Sequence, residues 1–288
     1  MHQPQQPMEG GDRISSLPEE IKISILCCLE VKDAIRTSTL ARSWCHLWTL
    51  LPSLRFGCLR DQDPLGGNLQ EEPVSSSWIK RVYHVVSSRR GPLLDFDLCH
   101  VFSAEQSPLV QSLLDLLLQK GGVQRLFLFL CRHSEPDPVV INLPSFHSLK
   151  VLKLWDCHVI LPTDFPGFNC LTTLNLKWVI ISNDDVHLLI HTSKNLTAFR
   201  GINFVASEGP LSVNINLPLL RHLKFGINES VEKVSVVSAP CLEQARIFSL
   251  ESMSWVTLEL VSSVSMVSSL DLDLGVFHSC ILSLCRLI

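Results

Sequence analysis

Apolar residues recur along most of the chain in an L-x-x-L-x-L spacing, with polar residues between them. Successive copies begin 22 to 30 residues apart. The eight copies start at Leu93, Val123, Leu149, Leu171, Leu196, Leu220, Leu242 and Val267. Each x-L-x segment predicts a short strand with inward leucines, and one copy cannot bury its apolar face alone. The pattern therefore predicts stacked coils with a curved parallel sheet on their concave side.

Residues 12–56 follow a different, helical spacing. Pro18 suits the first turn of a helix, and the two glutamates after it suit the positive end of the helix dipole. Apolar residues then form one stripe at Ile21, Ile25, Leu26 and Leu29. A second apolar series runs from Ala34 to Trp48. A unit this small is marginally stable alone, so its stripe either packs against the next domain or partly faces a partner protein.

The same stretch resembles the F-box of plant F-box/leucine-rich-repeat proteins. The matching segments are Leu17-Pro18-Glu19-Glu20, Ile25-Leu26-x-x-Leu29, Val31-Lys32-Asp33-Ala34 and Leu40-Ala41-Arg42-Ser43-Trp44-Cys45-His46-Leu47-Trp48. The resemblance implies a three-helix unit that binds a Skp1-type adaptor and, through it, cullin. The implied adaptor-binding positions are Leu17, Pro18, Ile21, Ile25, Leu26, Leu29, Val31, Ala34, Leu40, Trp44 and Leu47. Ser43 and Cys45 depart from the family pattern, in which Arg or Lys is commoner.

These observations predict an α/β protein in which a three-helix F-box precedes a leucine-rich-repeat solenoid. We expect a disordered tail over 1–11, the F-box over 12–56, a linker and connector helix over 57–92, and about eight repeats over 93–288. The segment 184–190 predicts a helix on the convex side. Proline-containing segments such as INLPSF are too short for a full helix, which predicts an irregular convex side. The short apolar tail after Leu272 predicts a missing C-terminal cap, and with it aggregation or rapid degradation.

Composition excludes several classes of protein. Hydrophobic residues make up 46% of the chain and charged residues 18%, which excludes a disordered chain. The net charge of −4 gives no general argument for nucleic-acid binding. We found neither an apolar run of membrane-spanning length nor a secretory leader. We therefore expect no nucleic-acid or membrane partner, and a cytoplasmic and/or nuclear location.

Candidate chemistry is sparse. The 11 cysteines contain no C-x-x-C pair, which favours reduced thiols over a zinc ribbon or disulfides. His187 and His191 lie four residues apart on the predicted helix, but no third metal ligand suggests itself. Phosphate-loop, dinucleotide and hydrolase motifs are missing from the sequence. We therefore expect no catalytic residue, no metal and no cofactor, and a protein that is not itself an enzyme.

The strand positions that point away from the leucine core predict a target-binding surface. In successive copies the first such position holds Asp97, Phe127, Lys153, Asn175, Arg200, Lys224, Arg246 and Asp271. Cations dominate the middle of this series, and the next outward position adds aromatic residues and one more lysine. The expected target-binding residues are Lys153, Trp155, Lys177, Arg200, Lys224, Arg246 and Phe248. The alternative interpretation is that outward strand positions are simply polar, with Lys and Arg common among them.

The resemblance implies a substrate-recognition subunit of a Skp1–cullin–F-box ubiquitin ligase. In that role the F-box binds the adaptor, and the solenoid binds a target protein that is acidic or phosphorylated. Three alternatives stay open at this point. They are a repeat scaffold or inhibitor without ligase activity, a cysteine-dependent hydrolase, and a truncated chain that competes for the adaptor.

Overall fold

A computed structural model describes residues 13–57, 75–132, 137–249, 256–260, 269–273 and 280–284. Its helices are α1 (Glu19–Leu26), α2 (Val31–Arg36), α3 (Ser76–Ser87), α4 (Ser107–Lys120) and α5 (Asn183–Thr192). Its strands are β1 (Ser53–Phe56), β2 (Asp95–Phe102), β3 (Arg125–Arg132), β4 (Val140–Asn142), β5 (Val151–Trp155), β6 (His158–Ile160), β7 (Thr173–Lys177), β8 (Ile180–Ile181), β9 (Ala198–Ile202), β10 (Val205–Ala206), β11 (Leu211–Asn216), β12 (His222–Ile227), β13 (Val231–Ser238), β14 (Gln244–Ser249), β15 (Val256–Leu260), β16 (Ser269–Asp273) and β17 (Cys280–Leu284). The expected disordered tail, most of the linker and much of the C-terminal tail lie outside the described residues.

Residues 13–52 form a helical unit, which we call the N-terminal unit. It consists of α1, α2 and three short 3-10 turns over 37–39, 42–44 and 47–50. The expected third helix is thus a run of tight turns. Thr37 and Thr39 explain the change of geometry, because their hydroxyls donate to the carbonyls of Ala34 and Arg36 at 2.7 and 2.9 Å. Such local side-chain bonds compete with the regular helical pattern.

The N-terminal unit has its own small core. The core residues are 0–5% exposed, and they are Leu26, Ala34, Trp44, Leu47 and Leu51. Lys22 is also buried, and its ammonium lies 5.9 Å from the centre of the Trp44 ring. Val31 belongs instead to the main core of the chain. The unit is therefore continuous with the solenoid at α2.

A nine-stranded parallel sheet runs the length of the solenoid. Its order is β1-β2-β3-β5-β7-β9-β12-β14-β16, and each strand pairs in parallel with the next. The leucine positions of one coil lie beside those of the next, so that Leu126 pairs with Leu152 and Leu128 with Leu154. These side chains are 0–1% exposed. Stacking therefore buries the face that one coil alone would leave open.

Gly201 occupies one inward position that Leu176 fills in the preceding coil and Phe225 fills in the next. A Cβ added there would lie 2.4 Å from the Phe204 ring and 2.9 Å from the Phe225 ring. These two rings stack with their centroids 5.6 Å apart. Aromatic rings from the same and the next coil thus fill the space that a side chain at Gly201 would take.

The side opposite the long sheet combines helices with further strands. As predicted, α5 covers 184–190, while α4 accounts for the long interval of 30 residues between the first two copies. Two four-stranded parallel sheets, β10-β8-β6-β4 and β11-β13-β15-β17, complete this side. The proline-containing segments expected to be irregular thus include short strands. Strand formation pairs the backbone groups of these segments without the length that a helix requires.

The long sheet begins earlier than the sequence pattern indicated. Strand β1 lies within the stretch assigned to the F-box, and it pairs with β2 from Ser53–Asp95 to Phe56–Leu98. The pattern does not reveal this strand, because β1 contributes a single inward leucine, Leu54. Helix α3, predicted as a connector, buries Ile79, Val82 and Val86 in the main core.

Candidate functional site

Helix α1 presents apolar side chains to solvent. Ile21 and Ile25 are 48% and 39% exposed, and Leu29, just beyond the helix, is 41% exposed. Ile21 and Ile25 share one helix face because they are four residues apart. Pro18 is also exposed. We call these four residues the α1 apolar face. Exposed apolar residues grouped on a small unit are typical of a protein-binding surface.

The structure divides the eleven expected adaptor-binding residues into two groups. Ile21, Ile25, Leu29, Leu40 and Pro18 are exposed, and Leu17 is half-buried. The other five residues are buried in the folded chain, with at most 8% of their surface exposed: Leu26, Val31, Ala34, Trp44 and Leu47. Their expected role as direct contacts is corrected to a role in packing, because an apolar stripe on a thin unit serves both its core and its surface.

Sequence reasoning missed one exposed apolar residue of this unit. Ile14 lies before α1 and is 61% exposed. Its neighbour Ser15 accepts a hydrogen bond from the Trp44 indole at 3.2 Å, which ties this segment to the unit's core. The sequence feature that could have indicated its exposure is a single isoleucine between polar residues.

On the outer face of the nine-stranded sheet, register aligns the predicted outward residues. Each is the direct partner of the next along one row, which we call the outer row: Asp97, Phe127, Lys153, Asn175, Arg200, Lys224, Arg246 and Asp271. Adjacent strands are about 4.8 Å apart. The cations of the middle coils therefore lie within reach of one ligand.

Ion pairs neutralise the two ends of the outer row but leave its centre positive. Asp97 lies 3.4 Å from Arg55, and Asp271 lies 3.1 Å from Arg246. Within the described ranges, Arg200 and Lys224 have no carboxylate at ion-pair distance. Arg246, expected to bind a target directly, is thus partly neutralised by its neighbour in the next coil.

The next outward positions form a second row that is largely closed to solvent. Lys177 in this row is only 8% exposed, and its ammonium lies 5.2 and 4.1 Å from the ring centres of Trp155 and Trp178. The expected role of Lys177 as an exposed target-binding cation is therefore corrected, because the two indoles cover it. Trp155 and Phe248 keep part of their surface exposed. Phe248 lies beside two cations, 5.6 Å from both Lys224 and Arg246.

A hollow of about 520 Å³ opens over the centre of the outer row. Asn175, Arg200, Lys224 and Arg246 line it, and the small side chain of Ala198 in the preceding row leaves it room. Burial lowers the pKa of Lys224, and the positive charges of Arg200, Arg246 and Lys177 lower it further. Asp271 also lines the hollow and pairs with Arg246, so Arg200 and Lys224 are the lining cations without an ion-pair partner among the described residues.

Among the described residues, the other candidate chemistry is not assembled into a site. His187 and His191 border a hollow between α5 and strands β11 and β13, but the described residues hold no group of three or more metal-ligating side chains. Burial, reinforced by Asp156, raises the pKa of the Cys157 thiol well above its ordinary value. A protonated thiol is a poor nucleophile. No helix in the described ranges is both long enough and apolar enough to cross a membrane.

Two family profiles match the chain. The F-box domain profile matches residues 14–56, which cover the N-terminal unit and β1. The profile described as "FBD-associated F-box protein At5g56370, LRR repeats" matches residues 110–277, more than half of the chain. The second match extends from α4 to beyond β16 and so covers most of the solenoid.

The chain is also similar to curated proteins from Arabidopsis thaliana. F-box/FBD/LRR-repeat protein At1g13570 is 29% identical over 75% of this chain, which spans about half (49%) of that relative. F-box/LRR-repeat protein At3g26922 is 27% identical over 92% of this chain and 90% of its own length. FBD-associated F-box protein At5g27750 is 47% identical over 51 residues, 18% of this chain and 11% of the relative.

Proposed function

Because the chain belongs to the plant F-box/leucine-rich-repeat proteins, we propose that it is the substrate-recognition subunit of a Skp1–cullin–F-box type ubiquitin ligase. Its two kinds of domain indicate a protein-interaction adaptor. In this proposal the F-box binds a Skp1-type adaptor, and the outer face of the solenoid binds the target. Other subunits perform ubiquitin transfer, and the complex works in the cytoplasm and/or nucleus.

The α1 apolar face is the observation that carries the proposal. Ile21, Ile25 and Leu29 remain 39–48% exposed although the unit has a core beneath them. Exposed aliphatic side chains gain free energy when a partner removes them from water, by about 25 cal/mol per Å². The fold therefore leaves these side chains exposed and available to a partner that has a complementary apolar groove.

Contacts between the N-terminal unit and the solenoid support a mechanism of tethering. Val31 packs in the main core, and β1 joins the long sheet directly after the F-box. A target on the outer face is then held in a restricted position relative to the adaptor. Such tethering raises the effective concentration of target lysines near the ubiquitin-loaded enzyme.

Binding of the full-length chain to a purified Skp1-type adaptor tests the proposal. Ile21→Ser with Ile25→Ser should weaken binding by about 30- to 1,000-fold, the loss expected from removing two central apolar contacts. Leu118→Ser with Leu219→Ser is the matched control, since both leucines are exposed apolar residues of the solenoid. The control should bind like the wild type.

Two results would contradict the proposal. One is a folded wild-type chain that does not bind the adaptor, which would favour a repeat scaffold without ligase activity. The other is equal loss of binding in the two double variants, which would show that the α1 apolar face is not the docking surface. Circular dichroism of each variant establishes that the chain is folded.

A further inference from the structure

The centre of the outer row combines a pair of like charges, an open hollow and unpaired polar atoms, none of which a purely structural surface requires. Arg200 and Lys224 are direct cross-strand partners with charges of the same sign. Like charges in this relationship cost stability. They also border an open hollow of about 520 Å³, where a ligand could compensate them.

Unpaired polar atoms lie at the same place. The Nε of Arg200 and the Oδ1 of Asn175 are each closed off from solvent and lack a hydrogen-bond partner within the described part of the chain. A buried donor or acceptor without a partner costs free energy in the folded state. One atom is a donor and the other an acceptor on adjacent strands, so a ligand that offers both an anionic oxygen and an N–H would pair both.

The acids near the hollow are already engaged. Asp271 pairs with Arg246 at 3.1 Å, and Asp97 lies four strand intervals from Arg200 and pairs with Arg55. Positive charge is therefore confined to a short stretch, from Lys153 to Lys224, that spans three strand intervals or about 14 Å. Acids at both ends of the row oppose a long polyanion such as RNA, whereas one compact anion fits between them.

We propose that this hollow binds a phosphorylated serine or threonine side chain of the target protein, with Arg200 and Lys224 binding the phosphoryl oxygens. This inference rests on the proposed function, because it names the class of target that the solenoid would recruit. A phosphate monoester carries a charge of about −1.5 to −2 at pH 7. It can balance both cations, whereas one carboxylate leaves a positive charge uncompensated.

Each unpaired atom receives a partner in the complex once its side chain turns toward the hollow, because both atoms are closed off from solvent in the free chain. The Nε–H of Arg200 then donates to a phosphoryl oxygen, a charge-assisted hydrogen bond of the strong kind. The Oδ1 of Asn175 accepts from a backbone N–H of the target segment. Phe248, 5.6 Å from the Lys224 ammonium, offers an apolar surface to the flanking residue of the target.

A degenerate peptide library with a fixed central phosphoserine or phosphothreonine is the probe. Binding to the full-length chain in complex with the adaptor is compared with the unphosphorylated library and with a library that has glutamate at the centre. We expect the phosphorylated library to bind at least about tenfold more tightly than either, with affinity falling as salt rises from about 50 to 300 mM.

Charge-neutral variants locate the binding site. Arg200→Gln with Lys224→Gln should weaken phosphopeptide binding at least about tenfold. Lys150→Gln with Lys194→Gln is the matched control, because both lysines are exposed and neither borders the hollow. Lys224→Gln alone should raise the melting temperature by about 1–2 °C, since it relieves repulsion. Binding that falls while thermal stability rises distinguishes a ligand site from a structural role.

Several results would overturn the inference. They are equal binding of phosphorylated and unphosphorylated libraries, equal binding of the glutamate library, or equal loss of binding in the two double variants. Displacement of the phosphopeptides by single-stranded RNA at lower concentration than by inorganic phosphate would also overturn it. Adaptor binding is measured on the same variants. A wild-type chain that does not bind the adaptor contradicts the proposed function. A wild-type chain that binds the adaptor but not the phosphopeptides contradicts this inference alone.

Discussion

The guanidinium of Arg89 donates a hydrogen bond to the carbonyl of Leu51, and so joins the end of α3 to the end of the N-terminal unit. It also donates to the carbonyl of Pro92 at 3.1 Å. Arg89 is 6% exposed, and burial lowers its pKa to about 10, which leaves it charged at neutral pH. Close by, the backbone N–H groups of Arg90 and Gly91 donate to the carbonyl of Thr49. The F-box is thus fixed to the first coils by polar contacts as well as by α2.

Replacing Arg89 by alanine should lower the free energy of unfolding by about 1–3 kcal/mol, because the carbonyl of Leu51 loses a buried donor. Urea denaturation measures the change. Arg90→Ala is the matched control, since Arg90 is exposed, and it should change stability by less than about 0.5 kcal/mol. Equal effects of the two substitutions would contradict the role assigned to Arg89.

Substitutions at two neighbouring residues of α1 should affect stability and adaptor binding differently. Leu26→Ala should cost about 2–5 kcal/mol, because Leu26 is fully buried in the core of the N-terminal unit. Ile25→Ala, one residue earlier and 39% exposed, should cost less than about 1 kcal/mol yet weaken adaptor binding. Thermal denaturation and adaptor titration are measured on both variants. A larger loss of stability for Ile25→Ala than for Leu26→Ala would reverse the assignment of the two faces.

Adding a methyl side chain at Gly201 should destabilise the protein. The Cβ of Gly201→Ala would lie 2.4 Å from the Phe204 ring, which must move. Such overpacking costs about 1–3 kcal/mol, whereas the preference of strands for alanine over glycine would predict a gain. Thermal unfolding of the variant distinguishes these outcomes. Gly201→Ala with Phe204→Leu should recover part of the loss, since leucine removes the ring that obstructs the Cβ.

Asn228 should be the most sensitive asparagine among the later coils. It is 4% exposed, and its amide donates to the Phe204 carbonyl at 2.6 Å and to the Asn203 side chain at 2.7 Å. Asn228→Ala should lower the free energy of unfolding by about 1–3 kcal/mol, because these acceptors lose a buried donor. Chemical denaturation checks the value. The exposed Asn214 provides the control, and Asn214→Ala should change stability by less than about 0.5 kcal/mol.

Acidic pH should weaken the fold through two histidines. Burial lowers the pKa of His100 and of His158 below the ordinary value of 6.5, although Asp185 partly opposes the change at His158. The unfolded chain therefore takes up protons at a pH where the folded chain does not, so stability is retained above 6.5 and lost as pH falls through the lower folded pKa. Protonation of Nδ1 in His100 would also remove its acceptor role toward the N–H of Val101.

We expect the free energy of unfolding to fall between about pH 7 and pH 5, with a slope reduced in His100→Gln/His158→Gln. Denaturation midpoints across this range measure the slope. Substituting Gln for the exposed His147 and His191 controls for the loss of two imidazoles. An identical slope in the wild type and in His100→Gln/His158→Gln would contradict the assignment.

Local spacing was sufficient to predict the repeated strands and the content of the outer row. Side chains alternate across a strand, so the residue between Leu152 and Leu154 must point to the opposite face whatever the rest of the chain does. The sequence pattern alone thus assigns Lys153, Arg200 and Lys224 to one row. Helix α5 was predictable for the same reason, because its apolar spacing and its acidic first turn lie within one segment.

The sequence by itself determined the period of the coils, the direction of each strand side chain and the family to which the chain belongs, because each depends on residues close together along the chain. Only the tertiary structure decided how exposed those side chains are. Lys177 is covered by Trp155 from the preceding coil as well as by the adjacent Trp178, and Arg246 is partly neutralised by Asp271 from the following coil. The contacts with Trp155 and Asp271 join residues that are 22 or more positions apart and arise only when the coils stack.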